Sequence, residues 1–377
     1  MMKPLNIVIV GLSLSSSWGN GHATTYRALI KGLTALGHSV LFLERDVPWY
    51  AKERDLPSPD FCELAFYSNV SRLVTDYASR ISSADAVIIG SYVPEGRRVI
   101  EEVAGLRPRC LCYYDIDTPV TVGMLDRGEE EYLERTQIPL FDAYFSFSGG
   151  AILNRLKTGY GAREAIALHC SVDDDLYRNT RETCCWDLGY LGTYSPDRQP
   201  TLEKLLIEPA RRLPDKRFVV AGSQYPDDLA WPQNVERIQH LPPSAHASFY
   251  SRQRFTLNVT RADMIAFGWS PSVRLFEAAA CAVPVITDYW RGLEEFFPDG
   301  EAIMIAHSSD DVVNTLVNLQ EDRRRAIGLS ARQRVLQGHT GLARARELTA
   351  ALSAVAPGRE EPLFEPWTAP AQERIYP

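Results

Sequence analysis

The chain has 377 residues, more than one hydrophobic core ordinarily organises and suited to two domains. Hydrophobic residues make up 45% and charged residues 23%, a globular composition that excludes a disordered chain. The formal net charge of −8 disfavours any partner held by long-range attraction to phosphate backbones, so a nucleic-acid partner is not expected.

The N-terminal Leu5 to Gly11 run is rich in Ile and Val and reads as a buried parallel strand rather than a secretory signal. A loop of small residues, SLSSSWGNGH, leads into a helix over about 23–36. Tyr26, Leu29, Ile30, Leu33 and Leu36 form its apolar stripe, and Gly37 closes it. A second strand at Val40 to Glu44 completes a βαβ unit. Residues 45–83 are aromatic-rich and irregular, and are expected to form an insertion near a cleft. Regular alternation resumes with strands at 84–90, 109–114 and 143–147 and a helix at 95–104, which predicts a doubly wound sheet.

The pattern breaks over 159–179, where SVDDDLYRN reads as a linker. A second βα series follows, with strands at 186–192, 217–222, 235–240, 255–259, 283–287 and 302–305 and helices at 199–213, 244–251, one carrying Arg274 and Glu277 before a small-residue turn at Cys281 to Pro284, and from Ser308 onward. The expected organisation is a first domain over 1–170, a second over 171–356, and a proline- and aromatic-containing tail over 357–377. The seven cysteines are odd in number and contain no Cys-x-x-Cys. That argues against a zinc site or a disulfide framework and for reduced thiols in a cytoplasm. No apolar run approaches the ~20 residues of a membrane helix.

Several positions carry chemistry. In FGWSPSVRLFEAA, Glu277 sits early in a helix, where a carboxylate accepts hydrogen bonds from vicinal ribose hydroxyls; the plain alternative is an ion pair with Arg274 one turn away. Ser270 and Ser272 precede the same helix, whose free N–H groups and dipole favour a diphosphate, though Ser is also an ordinary N-cap. Arg198 and Arg274 are further candidates to hold phosphate, or simply solvated arginines. Asp288 ends a core strand and is a further donor-site candidate. Gly19, Asn20 and Gly21 let backbone approach a ligand, and His22 beside them is a candidate general base or a helix cap. Asp115 and Asp117, in YYDIDTPVT, follow a strand and are candidates to orient an acceptor, Asp117 also as base, with loop capping as the alternative. The arginines over 323–346 read as a solvated face rather than a membrane-docking surface, so peripheral membrane contact is not favoured.

GTYSPDRQPTLEKLL, PSVRLFEAAACAVPVITDYWRGLEEFF and SSSWGNGHATTYRAL together resemble GT-B glycosyltransferases, and among them the bacterial spore-maturation CgeB-like proteins. The glycine–histidine loop is also similar to that of MurG-like enzymes. The resemblance implies an α/β GT-B architecture: two doubly wound Rossmann-like domains facing a central cleft. It further implies a nucleoside diphosphate-sugar donor on the second domain and a small-molecule or glycan acceptor on the first. No cofactor and no obligatory metal are implied, and the tail is expected to cross back to the first domain. The wider retaining pattern pairs two glutamates eight residues apart. Glu277 matches the second, and Trp269 stands where the first is expected, at the sugar. That departure keeps two other readings open, a nucleotide-sugar epimerase on the same fold and a non-catalytic sugar-nucleotide-binding or envelope-associated protein.

Overall fold

The computed structural model describes residues 3–19 and 21–355. The first domain runs β1 (Asn6–Gly11), α1 (His22–Ala35), β2 (Ser39–Arg45), the single turn α2 (Pro48–Ala51), β3 (Glu63–Tyr67), α3 (Val70–Ser83), β4 (Ala86–Gly90), α4 (Gly96–Gly105), β5 (Leu111–Asp115), α5 (Thr118–Asp126), β6 (Ala143–Ser146), α6 (Ala151–Tyr160) and β7 (Ala165–Ala167). Its sheet has the order β3-β2-β1-β4-β5-β6-β7, and every pairing is parallel. The central strands are buried on both faces, which is why Ile7 to Val10 and Ala86 to Ile89 read as unbroken apolar runs.

The second domain runs β8 (Trp186–Leu191), α7 (Gln199–Leu202), α8 (Glu208–Arg212), β9 (Phe218–Ala221), β10 (Val235–Ile238), α9 (Pro243–Ser251), β11 (Gln253–Asn258), α10 (Ala262–Phe267), α11 (Val273–Ala280), β12 (Val285–Thr287), α12 (Leu293–Phe296), β13 (Met304–Ile305), α13 (Ser309–Asn318), α14 (Glu321–Gly338) and α15 (Gly341–Val355). The parallel sheet order is β10-β9-β8-β11-β12-β13. Between α7 and α8 the helix continues as a π-turn over Glu203–Ile207. Pro209 lacks the N–H that would bond the Leu205 carbonyl, and this accounts for the widened turn.

Three expectations are corrected. Residues 45–83 are not an irregular insertion: β3 and α3 form a regular unit, with β3 on the sheet edge and Asn69 capping α3 through the Arg72 amide at 2.9 Å. The half-buried ELAFY edge strand mixes polar and apolar residues, so no clean period marks it. Likewise the break at 159–179 hides β7, three half-buried residues at the far edge. Third, α10 fills a stretch read as connection.

The return to the first domain is made by α15, which the sequence division counted within the second domain. Gly32 of α1 and Gly341 of α15 meet so closely that a Cβ on Gly32 would lie 2.3 Å from the Gly341 carbonyl oxygen. The Thr349 hydroxyl meets His38 Nε2 at 3.2 Å in the same contact. The expected tail over 357–377 lies outside the described residues. All seven cysteines are free thiols. Among the described residues no helix is long and apolar enough to cross a membrane.

Candidate active site

In open parallel sheets a crevice opens where strand order reverses, beyond the strands' carboxyl ends. Here the reversals lie between β1 and β4 and between β8 and β11. The loops after these four strands therefore face one another across the interdomain cleft.

On the first domain, the loop after β1 is held by Glu44 from the end of β2. This fully buried carboxylate accepts hydrogen bonds from the Leu14 and Ser15 amides at 2.7 and 2.9 Å, and from the Ser13 and Ser15 hydroxyls at 3.1 and 2.6 Å. Gly19 then turns with φ +67°, a conformation glycine adopts without strain. Asn20 lies outside the described residues. Gly21 is the N-cap of α1, and His22 is the first residue of that helix rather than its cap. Its Nε2 lies 3.6 Å from Asp117 Oδ2, and its ring meets Tyr92 edge-on at 5.5 Å. Among the described residues its buried Nδ1 has no hydrogen-bond partner. Tyr92 follows β4 with φ +61°, a left-handed backbone that a bulky residue rarely adopts.

Asp117 faces this cavity; Asp115 does not, which corrects the pairing of the two as acceptor ligands. Asp115 is fully buried and accepts from Tyr144 Oη at 2.6 Å, Thr121 Oγ1 at 3.0 Å and the Asp117 amide at 3.1 Å. Burial pushes its pKa up to about 6 despite those bonds. Its role is to set the turn that presents Asp117.

On the second domain, three arginines converge. Arg198 follows β8, Arg261 follows β11 and Arg274 lies in the first turn of α11; all three line one cavity with His22 and Asp117. Burial, with Arg274 and Arg261 alongside, draws the Arg198 pKa below the usual guanidinium value, yet a guanidinium stays charged at neutral pH. Ser272 caps α11 through the Arg274 amide at 3.4 Å and also faces the cavity. The N-cap reading and the anion-site reading thus coexist.

Glu277 lines an adjoining cavity that shares Gly19, Gly21, Thr193, Val273 and Arg274 with the first. It is 2% exposed. Its Oε2 accepts from Tyr250 Oη at 3.1 Å and lies 3.9 Å from His246 Nδ1, which in turn meets Tyr177 Oη at 3.0 Å. Among the described residues no ion pair joins Glu277 to Arg274, so the plain alternative for this pair is not what forms. The larger cavity measures 590 Å³ and the adjoining one 130 Å³.

Three donor or sugar candidates lie elsewhere. Trp269 is in the seam between domains, its carbonyl accepting from the Gly149 amide at 2.9 Å and its indole N–H donating to Glu295 at 2.8 Å. It abuts Gly150 and Gly292 and does not line the cleft, so its occupation of the missing acid's place says nothing about the sugar. Ser270 is fully buried in the same seam, bonded to Ser148 Oγ at 2.8 Å and to the Gly268 carbonyl at 2.7 Å. Asp288 accepts from the Thr260 amide at 2.9 Å and hydroxyl at 2.7 Å, and so braces the loop that carries Arg261. Sequence reasoning missed Arg261, Tyr50, Tyr92 and His246. Tyr50 lies in the aromatic-rich stretch expected near a cleft, and Arg261 had the signal of a basic residue just past a strand, though reading it needed the strand order.

Residues 198–350 match a family model described as glycosyl transferase-like. The chain superposes on the HepE protein of Anabaena solved with UDP-glucose, at TM-score 0.66 and 13% identity, covering 93% of this chain and 100% of that one. It also superposes on sucrose-phosphate synthase of Thermosynechococcus elongatus, at TM-score 0.68 and 13% identity, covering 93% and 99%. The two-domain fold is that of GT-B glycosyltransferase structures. Among curated relatives, a D-inositol 3-phosphate glycosyltransferase of Mycobacterium sp. (strain KMS) is 30% identical over 147 residues, 35% of this chain. The match spans about a third of that relative's length, 31%. In this GT-B chain, among the described residues, no three His, Cys, Asp or Glu side chains gather as a metal site would require.

Proposed function

We propose that the chain transfers a glycosyl group from a nucleoside diphosphate-sugar to a hydroxyl-bearing acceptor, without a bound metal. One observation carries the reading: Arg198, Arg261 and Arg274 converge, beside the N-terminus of α11, on a cavity whose opposite wall is the His22–Asp117 pair. A protein of net charge −8 gathers three half-buried cations around one cavity. A diphosphate matches them, because its charge grows as it leaves. Glu277, buried in the adjoining cavity, is placed to take the ribose diol.

In the transfer, the acceptor oxygen forms a bond to the anomeric carbon. The bond from that carbon to the β-phosphate oxygen breaks, and its electron pair leaves with the diphosphate. The acceptor proton passes to the His22–Asp117 pair, whose heteroatoms lie 3.6 Å apart. Closing the cleft excludes the water that would hydrolyse the donor. The kinship with CgeB-like proteins is part of this proposal and rests on the RLFEAAACAVPVITDYW segment, which lies inside the matched region.

The test is thermal stabilisation by a panel of nucleoside diphosphates and their sugars, with and without EDTA, since a ligand of the folded state raises the melting temperature by mass action. At least one nucleotide should stabilise, and chelation should leave the shift intact. No shift with any nucleotide overturns the reading, and an isomerised sugar nucleotide formed from donor alone would favour an epimerase.

A further inference from the structure

We infer that the acceptor is an uncharged glycoside presenting an apolar face, not a phosphorylated polyol. The inference rests on the proposed function and concerns the first-domain half of the same cavity.

The two halves of the 590 Å³ cavity differ in charge. All three arginines lie on the second domain, where the donor diphosphate would occupy them. Among the described residues, the first domain's share of the wall contains no lysine or arginine. Its one ionic side chain besides His22 is Asp117, a carboxylate that repels a phosphate brought near. Nearby guanidinium groups are already engaged. Arg27 pairs with Asp55 at 2.8 Å, and Arg54 lies 4.0 Å over the Phe66 ring and bonds Asp46 at 2.6 Å. An anionic acceptor would therefore be desolvated without a cation to meet it.

What that wall does offer is flat and apolar. Tyr50, Tyr92, Ile116 and Phe147 face the cavity around His22. Tyr92 is held there by a strained φ of +61°, and its ring packs against Tyr132 at a 41° tilt with centroids 4.5 Å apart. A strained bulky residue persists only where its surroundings over-determine it, and such residues cluster at ligand sites. Trp49, 55% exposed, lies 6.4 Å from Tyr50 ring to ring and extends the aromatic surface outward. Aromatic faces of this kind take the C–H face of a pyranose or an aryl aglycone, while Thr25 and Asp117 remain to accept or donate at hydroxyls.

The experiment uses the full chain and the nucleotide sugar that stabilises it most. 4-Nitrophenyl β-glucoside and D-inositol 3-phosphate are compared as acceptors, by nucleoside diphosphate release above donor hydrolysis and by saturation-transfer NMR. The aryl glucoside should bind with strongest transfer to its ring protons and accelerate release, and the inositol phosphate should do neither. Tyr50→Ala and Tyr92→Asn, the latter because Asn tolerates a positive φ, should each raise the glucoside KM at least fivefold with donor affinity within twofold. Turnover or binding of the inositol phosphate without the glucoside overturns the inference, as does an unchanged KM in both folded variants. If donor binds normally in those cases, only the acceptor assignment falls. If no nucleotide sugar binds at all, the proposed function falls with it.

Discussion

Replacing Glu277 by glutamine isolates the donor assignment from the fold. The carboxylate is 2% exposed, and its hydrogen bond from Tyr250 Oη, 3.1 Å long, survives in the amide, whose oxygen still accepts. The side chains are isosteric, so neither a cavity nor an unpaired tyrosine hydroxyl results. What is lost is the second carboxylate oxygen and the charge. A hydrogen bond to a charged group is worth about 1.5–3 kcal/mol net. Losing one while the other weakens gives about 1.5–2.5 kcal/mol, or roughly 10–70-fold in affinity. Titration calorimetry with the nucleoside diphosphate found in the stability panel reads this directly. The melting temperature of Glu277→Gln, without ligand, should stay within a few degrees of wild type. Tyr250→Phe should cost much less affinity, about threefold, because it removes only one positioning bond. A Glu277→Gln protein that folds normally and binds within twofold of wild type would refute the ribose assignment.

His22→Ala should lower kcat by about 10²–10⁴, the usual contribution of a general base, while the donor dissociation constant stays within twofold; a fall in donor affinity with kcat preserved would reassign His22 to binding. At the interdomain crossing, burial lowers the pKa of His169 to about 4 and that of His339 to about 3, with Arg344 adding to both shifts. Their folded values lie below the unfolded value of ~6.5, so the folded state binds fewer protons, and the stability they leave intact above pH ~6.5 is lost as pH falls. The melting temperature should fall from pH 7 toward pH 4.5, and His169→Gln should flatten that slope; an unchanged slope would falsify this account.

Much of the chain was legible because one rule governs it locally. A strand buried on both faces must be continuously apolar, and β1, β4 and β5 announce themselves that way. Edge elements escape the rule: β3 and β7 are half-buried, so their residues carry no period to read. The same contrast holds at the site. Glu277 and Arg274 share a helix, whose geometry is local, and the segment around them was enough to mark a candidate pocket. Asp115 and Asp117 stand two residues apart past one strand, and nothing local says which turns inward. The Tyr144 and Thr121 hydroxyls, brought from other elements, take Asp115 into the core and leave Asp117 to the cleft. Trp269 and Ser270 were drawn to the pocket by sequence proximity to Glu277. The left-handed turn at Gly268 and Trp269, with φ of 70° and 44°, sends them to the seam instead. Sequence alone determined the two βα series and the helix that carries Arg274 and Glu277, because periodicity and propensity act within a few residues. Which loops face the cleft, and hence the meeting of Arg198, Arg261 and Arg274 with His22 and Asp117, was decided only by strand order, since residues 63 and more positions apart in Arg198 and Arg261 become neighbours only when β8 and β11 pair.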